Sequence, residues 1–249
     1  MISMDDIKND VFQKYRNAQL KAMNTNRLGQ LHVSDVIAPC MRKVWYGKND
    51  KGYKSMDTES MRSLYFGQII HSHTELAKPE FHEMTMAYNY VTDKVVDLEK
   101  MKDVPLDDPI WWDILIGTLD DLLEINGEYI ICDKKTTGSI DWFSKEKTPA
   151  NDSHINQLNH YRLLLQKCKN IDAKYGCIIY IDSKNSQRFE KPIIKPLRLK
   201  PIEEALENIK KQGSIIKKSM TLNQIPDRTI CFLCSGMCPY ASVCMKNDD

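Results

Sequence analysis

Asp120, Asp133 and Lys135 are the residues whose types and spacing best fit a piece of chemistry. They lie in ILIGTLDDLLEINGEYIICDKKTTG, residues 114–138, which reads as two strands joined at Asn126-Gly127, a dipeptide that favours a two-residue hairpin turn. Counting outward equally from that turn puts Asp120 opposite Asp133. Their Cβ atoms are then expected about 5 Å apart, where like charges destabilise a strand pair. A divalent cation between them would remove the penalty. Lys135, two residues beyond Asp133, points to the same side. Two carboxylates and a lysine around one point form a set suited to metal-assisted phosphodiester hydrolysis. The bland alternative is a solvated acidic hairpin. Against it stands the apolar run Tyr129-Ile130-Ile131-Cys132 before Asp133, typical of a strand covered on both sides, where a carboxylate needs a partner.

Other elements must bring further groups to this point. A helix is predicted from Thr58 to Leu76 with Met61, Leu64 and Tyr65 on its buried stripe, and His71 and Glu75 fall on that stripe. One inward histidine is usually a hydrogen-bonded core residue. If His71 meets the aspartates, its imidazole completes a cation's coordination and favours manganese over magnesium. Glu75 would then orient it or a metal-bound water. Gln157 and Tyr161 share one face of a helix predicted over His154–Cys168, capped by Asp152 or Ser153. Facing an acidic metal site, they suit a phosphate or a base. Alone, they are the ordinary polar residues of an amphipathic helix.

Around these, residues 4–26 are helix-prone, with Val11, Tyr15, Leu20 and Met23 as a loose stripe. Ser34 caps a short helix running through Ile37 towards Cys40 and Tyr46. Residues 47–56 read as a loop and 86–98 as a strand pair. Two more strands follow, Lys174–Asp182 and Arg188–Ile194, and Pro201 opens a helix that Gly213 is placed to stop. The basic residues Arg42, Lys43, Lys210, Lys211, Lys217 and Lys218 and the aromatics Trp45, Tyr46, Trp111 and Trp112 are candidates for a DNA path, set against ordinary surface charge and core packing.

The 249 residues are 42% apolar, enough for a sizeable core. A net charge of +1 does not announce a nucleic-acid partner, so a binding surface has to be a local patch. No run of about 18 uncharged apolar residues suggests a membrane span, and MISMDDIKND lacks the pattern of a secretory signal. Of eight cysteines, Cys231, Cys234, Cys238 and Cys244 fall within fourteen residues, while Cys40, Cys132, Cys168 and Cys177 are scattered. Without a secretion signal, clustered thiols point to metal or redox chemistry rather than a disulfide framework. Zinc and an iron–sulfur cluster both explain them, and spacing does not choose. If Cys40 supplies a ligand, the site staples the N-terminal region to the C-terminus and ties metal occupancy to folding.

Taken in order, these segments resemble the RecB-like branch of the PD-(D/E)XK nucleases, above all its iron–sulfur members, the CRISPR-associated exonucleases and their phage relatives. Ser34-Asp35 with Cys40-x-Arg42-Lys43 and Tyr46 resembles the N-terminal cysteine motif, and Gly67-x-x-x-His71-x-x-x-Glu75 the histidine motif. Gly117-Thr118-Leu119-Asp120 matches the first metal aspartate, Asp133-Lys134-Lys135-Thr136 the D/E-x-K motif, and Gln157-x-x-x-Tyr161 the helix motif that follows. Cys238-Pro239-Tyr240-x-x-x-Cys244 fits the end of the cluster motif.

The resemblance implies an α/β fold, a restriction-endonuclease-like mixed sheet flanked by helices, with an N-terminal helical region and a C-terminal cysteine segment. Residues 1–249 would form one nuclease domain, with 30–46 and 228–246 as a cluster-binding part. It implies a metal-dependent DNA nuclease, most simply a single-strand-specific exonuclease. His71, Asp120, Asp133 and the Lys134 backbone carbonyl would hold Mn²⁺ or Mg²⁺, Lys135 would serve catalysis beside Asp120 and Asp133, and Gln157 and Tyr161 would contact DNA. A structural [4Fe–4S] cluster is implied, with zinc as the other occupant. The usual cysteine three residues before Cys238 is here Ser235, with Cys234 four before and Cys231 seven before. The favoured ligand set is Cys40, Cys234, Cys238 and Cys244, with Cys231 as substitute. A bacterial, archaeal or phage-infected cytoplasm and recombination or CRISPR adaptation partners accompany the resemblance. The competing expectation is a non-catalytic DNA-binding adaptor in such a complex.

Overall fold

The computed structural model describes residues 29–49, 65–71, 74–145, 148–184, 191–231, 234 and 238–244. The stripe expected in 4–26, and Met61 and Leu64, lie outside the described residues. The framework is a mixed sheet of β1 (Leu31–His32), β2 (His82–Asn89), β3 (Lys94–Val95), β4 (Ile114–Ile125), β5 (Glu128–Thr137), β6 (Tyr175–Asp182) and β7 (Ile193–Arg198). Its order is β3-β2-β4-β5-β6-β7, with β1 added parallel to β4. The mixed sheet with flanking helices is the α/β architecture expected.

The central hairpin turns at Asn126-Gly127, and both turn residues have positive φ, 53° and 81°. That conformation suits an Asn-Gly hairpin and pins the register of the strands on either side. Ile125 therefore faces Glu128, and pairing runs in step as far as Asp121 opposite Cys132. There the ladder stops, one step before Asp120 and Asp133. β5 goes on alone beside β6, through Thr137 opposite Asp182, while β1 pairs with β4 only at Leu115 and Ile116. Between β1 and β5 the segment Gly117-Thr118-Leu119-Asp120 borders a fork, paired on its other side with β2.

The described helices are α1 (Val33–Val36), α2 (Met41–Asn49), α3 (the helical stretch 65–71), α4 (Ile140–Ser144), α5 (Asp152–Lys169), α6 (Ile202–Thr221) and α7 (Ala241–Cys244). α5 lies against β2, β4, β5 and β6, and α6 packs on α5. Leu158, Leu163, Leu164 and Leu165 of α5 bury completely against Leu31, Leu115, Leu119, Ile131 and Ile178. Gly117 lets β4 approach α5, because a Cβ there would sit 2.6 Å from Leu164 Cδ1 and 3.1 Å from Tyr161 Cε1. The first residue of the Gly117–Asp120 motif is thus a packing requirement.

Several boundaries differ from the sequence reading. Asn151, not Asp152 or Ser153, caps α5, its side chain accepting the Ser153 N–H. Ser34 is inside α1. His32 occupies the cap because the Asp35 carboxylate accepts the His32 N–H, and Pro39 then separates α1 from α2. Helix α2 covers 47–49, part of the expected loop. The last strand starts at Ile193, after Pro192, and forms the sheet edge, where Pro196 is tolerated; residues 188–190 of the expected strand lie outside the described residues. Gly213 does not end α6. It is a notch inside the helix, since a Cβ would sit 2.5 Å from Tyr90 Oη.

Candidate active site

Four carriers converge at the fork: α3 with His71, the start of β2 with Glu83, β4 with Asp120, and β5 with Asp133 and Lys135. His71 Nδ1 is 3.1 Å from Asp120 Oδ2 and 3.9 Å from Glu83 Oε1. One ligand atom each from His71, Glu83 and Asp120 lie within 4.8 Å of one another. Nitrogen and hard oxygen donors so gathered fit a divalent cation of the manganese or magnesium type. Asp120 is further fixed by the Lys134 N–H, which donates to its Oδ2 at 2.7 Å across the fork.

Asp133 is completely buried, and the Lys135 ammonium donates to its Oδ1 at 3.0 Å. The same ammonium is 2.8 Å from Oδ2. Burial, reinforced by repulsion from Asp120, pushes the Asp133 pKa up to about 6 against the pull of Lys135. Burial alone would lower the pKa of His71, but its hydrogen bond to Asp120 and the charges of Asp120 and Asp133 leave it raised. Glu83 is raised by burial and by Asp120. Such a crowd of carboxylates is costly without a cation, the physical signature of a functional site.

The fork opens into a cleft of about 690 Å³ whose walls include His71, Glu83, Thr118, Asp120, Lys135, Gln157 and Tyr161. Gln157 Nε2 donates to Tyr161 Oη at 2.8 Å. The pair expected from helix spacing is therefore linked and set beside the acidic centre. Two expectations fail here. Glu75 lies past the end of α3, exposed and in no regular element, so it shares no helical stripe with His71. Tyr65 is 42% exposed, not part of a buried face. Trp45, Tyr46, Trp111 and Trp112 are all buried, which removes them as stacking platforms for bases.

Apart from that cleft, Cys40, Cys231, Cys234, Cys238 and Cys244 line one small cavity together with Lys43, Tyr46, Arg228 and Tyr240. Cys231 Sγ and Cys234 Sγ are 3.9 Å apart. Arg42 donates to the Pro226 carbonyl at 2.9 Å and approaches Cys244 Sγ at 3.9 Å, and Arg228 donates to the Cys244 carbonyl at 3.3 Å. Tyr46 stacks on Tyr240 with centroids 5.5 Å apart. Five soft donors ringed by cations form a set fit for a thiolate-bound metal or cluster.

The sequence of residues 18–245 matches the family model described as the PD-(D/E)XK nuclease superfamily. The chain belongs to that superfamily. No curated protein matches the chain. Among solved structures, one titled as the crystal structure of SSO0001 is similar over 96% of this chain and 95% of its own, with 16% identity and a TM-score of 0.52, a likeness of fold. An alkaline exonuclease of Laribacter hongkongensis, LHK-Exo, is similar over 82% of this chain and 93% of its own, at 10% identity and a TM-score of 0.42.

Glu83 is the site residue that sequence reasoning missed. It sits in a polar stretch, HEMT, with no spacing motif. In the structure it stands across from Asp120, between the pairs His82–Asp121 and Met84–Leu119, with φ of 46°. A left-handed glutamate inside a strand is strained, and such strain clusters at functional sites.

Proposed function

We propose that the protein is a divalent-cation-dependent deoxyribonuclease that degrades single-stranded DNA from its ends. The observation that carries this reading is the convergence of His71, Glu83 and Asp120 on one point while Asp133 holds Lys135 at the same cleft. His71, Asp120 and Asp133, with the Lys134 carbonyl, are the expected ligands of Mn²⁺ or Mg²⁺, and Glu83 joins them on geometry. When bound, the cation supplies Lewis-acid polarisation of the scissile phosphate and a more acidic water.

The protein's own groups do the rest. Lys135, anchored by Asp133, directs the attacking water towards phosphorus and compensates charge on the phosphate oxygens as the bond to the leaving sugar oxygen breaks. Gln157 and Tyr161 hold the strand next to the reacting phosphate. Cys40, Cys234, Cys238 and Cys244, with Cys231 as the substitute ligand, are proposed to bind a structural [4Fe–4S] cluster that clasps the region after Gln30 to the C-terminal segment.

End-labelled single-stranded DNA incubated with Mn²⁺ tests the reading. Wild-type protein is expected to remove or shorten label progressively, EDTA to stop it, and Asp133→Ala to lower the rate about a thousandfold, the weight of several kcal/mol of transition-state stabilisation. No cleavage of single- or double-stranded DNA by folded, cluster-loaded protein would overturn it.

A further inference from the structure

Asp121 stands next to Asp120 and is fully buried, yet the catalytic scheme gives it no task. Its Oδ1 accepts the N–H groups of Leu76 and Ala77 at 3.0 and 3.1 Å and lies 2.9 Å from His82 Nδ1. A carboxylate oxygen only accepts, so His82 carries its proton on Nδ1. The Lys134 ammonium lies 2.9 Å from Oδ2 and donates to the Thr74 carbonyl. Burial works against ionisation of Asp121, but Lys134, His82 and the Leu76 amide outweigh it and hold its pKa below the ordinary range.

Each tether ends beside a site residue. Residues 74–77 leave the helix that carries His71, and the Thr74 N–H bonds back to the Ile70 carbonyl at 3.1 Å. His82 precedes Glu83. Lys134 stands between Asp133 and Lys135, and its own N–H grips Asp120. One carboxylate thus joins the carriers of His71, Glu83 and Asp133 at the point where the β4–β5 ladder ends. A simple fold-holding ion pair would need only Lys134. The amides and the imidazole fix two further segments, and each of these segments adjoins a residue at the cleft, His71 or Glu83.

We infer that Asp121 is a positioning residue that sets the spacing of the His71, Glu83 and Asp120 donors and thereby the affinity for the divalent cation. This rests on the cation site proposed above. Partners that orient metal ligands typically alter affinity about 10–100-fold when removed.

The test is Mn²⁺ binding to full-length protein by calorimetry and electron paramagnetic resonance, comparing wild type with Asp121→Asn. Expected are a native circular-dichroism spectrum, a 10–100-fold weaker Mn²⁺ affinity, and cleavage that is lost at limiting Mn²⁺ but returns when Mn²⁺ is raised about as much. Asp121→Asn leaves the Lys134 charge buried without its partner and can fail to fold for that reason. The double variant Asp121→Asn/Lys134→Gln removes both charges and carries the same readouts. Unchanged Mn²⁺ affinity in a folded variant, or activity that excess Mn²⁺ does not restore, would overturn the inference while leaving the cation site standing. Failure of both variants to fold would reduce Asp121 to a structural ion pair and overturn it too. No Mn²⁺ binding by wild type would overturn the cation site and this inference together.

Discussion

The fork and the cysteine end are both built to hold charge, but in opposite ways. At the fork, buried carboxylates are locked by the protein itself: Asp120 by the Lys134 N–H, Asp121 by Lys134 and His82, Asp133 by Lys135. The surrounding core, with Leu119, Leu122, Ile131 and Leu158 fully buried, keeps the geometry in place before any ligand arrives. At the cysteine end the local core is a small cluster of Trp45, Tyr46 and Tyr240, and the thiols gather around a cavity. The fork is preorganised by packing. The cluster proposed for the cysteine end would, by contrast, contribute folding free energy to its own site when it binds.

That contrast is open to attack. At the fork, Lys135→Met keeps the length of the side chain and removes its charge. It is expected to cost about 10²–10³-fold in cleavage rate, the weight of one oriented charge-stabilising donor, with little change in Mn²⁺ affinity; a loss of Mn²⁺ binding instead would show that Lys135 holds the site together rather than acting on substrate. At the cysteine end the order of effects should reverse. Cys40→Ser is expected to abolish an absorption band near 400 nm, the band of an iron–sulfur chromophore, and to lower the melting temperature by several degrees, as loss of a structural metal site does. Cysteine variants that melt like wild type would erase the difference between the two ends. Colourless protein containing zinc would keep the contrast and replace the cluster.

The smallest effect concerns pH. Burial, and the nearby Lys135 charge, lower the His154 pKa to about 4. The folded state therefore holds His154 neutral, whereas the unfolded chain protonates it below its ordinary value near 6.5. His154 thus contributes stability that is present above that value and lost as pH falls towards 4. Asp133 acts in the opposite sense, because its raised pKa makes the folded state the better proton binder in this window. His154→Gln should accordingly flatten the fall in melting temperature between pH 6.5 and 4.5, measured against wild type by thermal denaturation. A variant that loses stability with acid as steeply as wild type would contradict this role.

The residues of the central hairpin were legible because local rules govern them. Asn126-Gly127 sets a turn and the turn sets a register, which holds as far as Asp121 opposite Cys132 and leaves the expected Asp120–Asp133 pair one step beyond the ladder. Gln157 and Tyr161 followed from helical spacing in the same way. Glu75 and Gly213 were misread for a common reason. A helix's end and a glycine's purpose depend on what packs against them, and Tyr90 decides the second.

By itself, then, the sequence determined the hairpin turn and its register, the Gln157–Tyr161 helix pair and the match to the superfamily. Only the tertiary structure decided that the β4–β5 ladder opens one step before the two aspartates, that Glu83 swings to Asp120 from β2, that Asp121 ties three segments behind them, and that five cysteines share one cavity. The first set rests on hydrogen bonds and side-chain periodicity a few residues apart. The second rests on contacts between segments far apart in the chain, which no local pattern encodes.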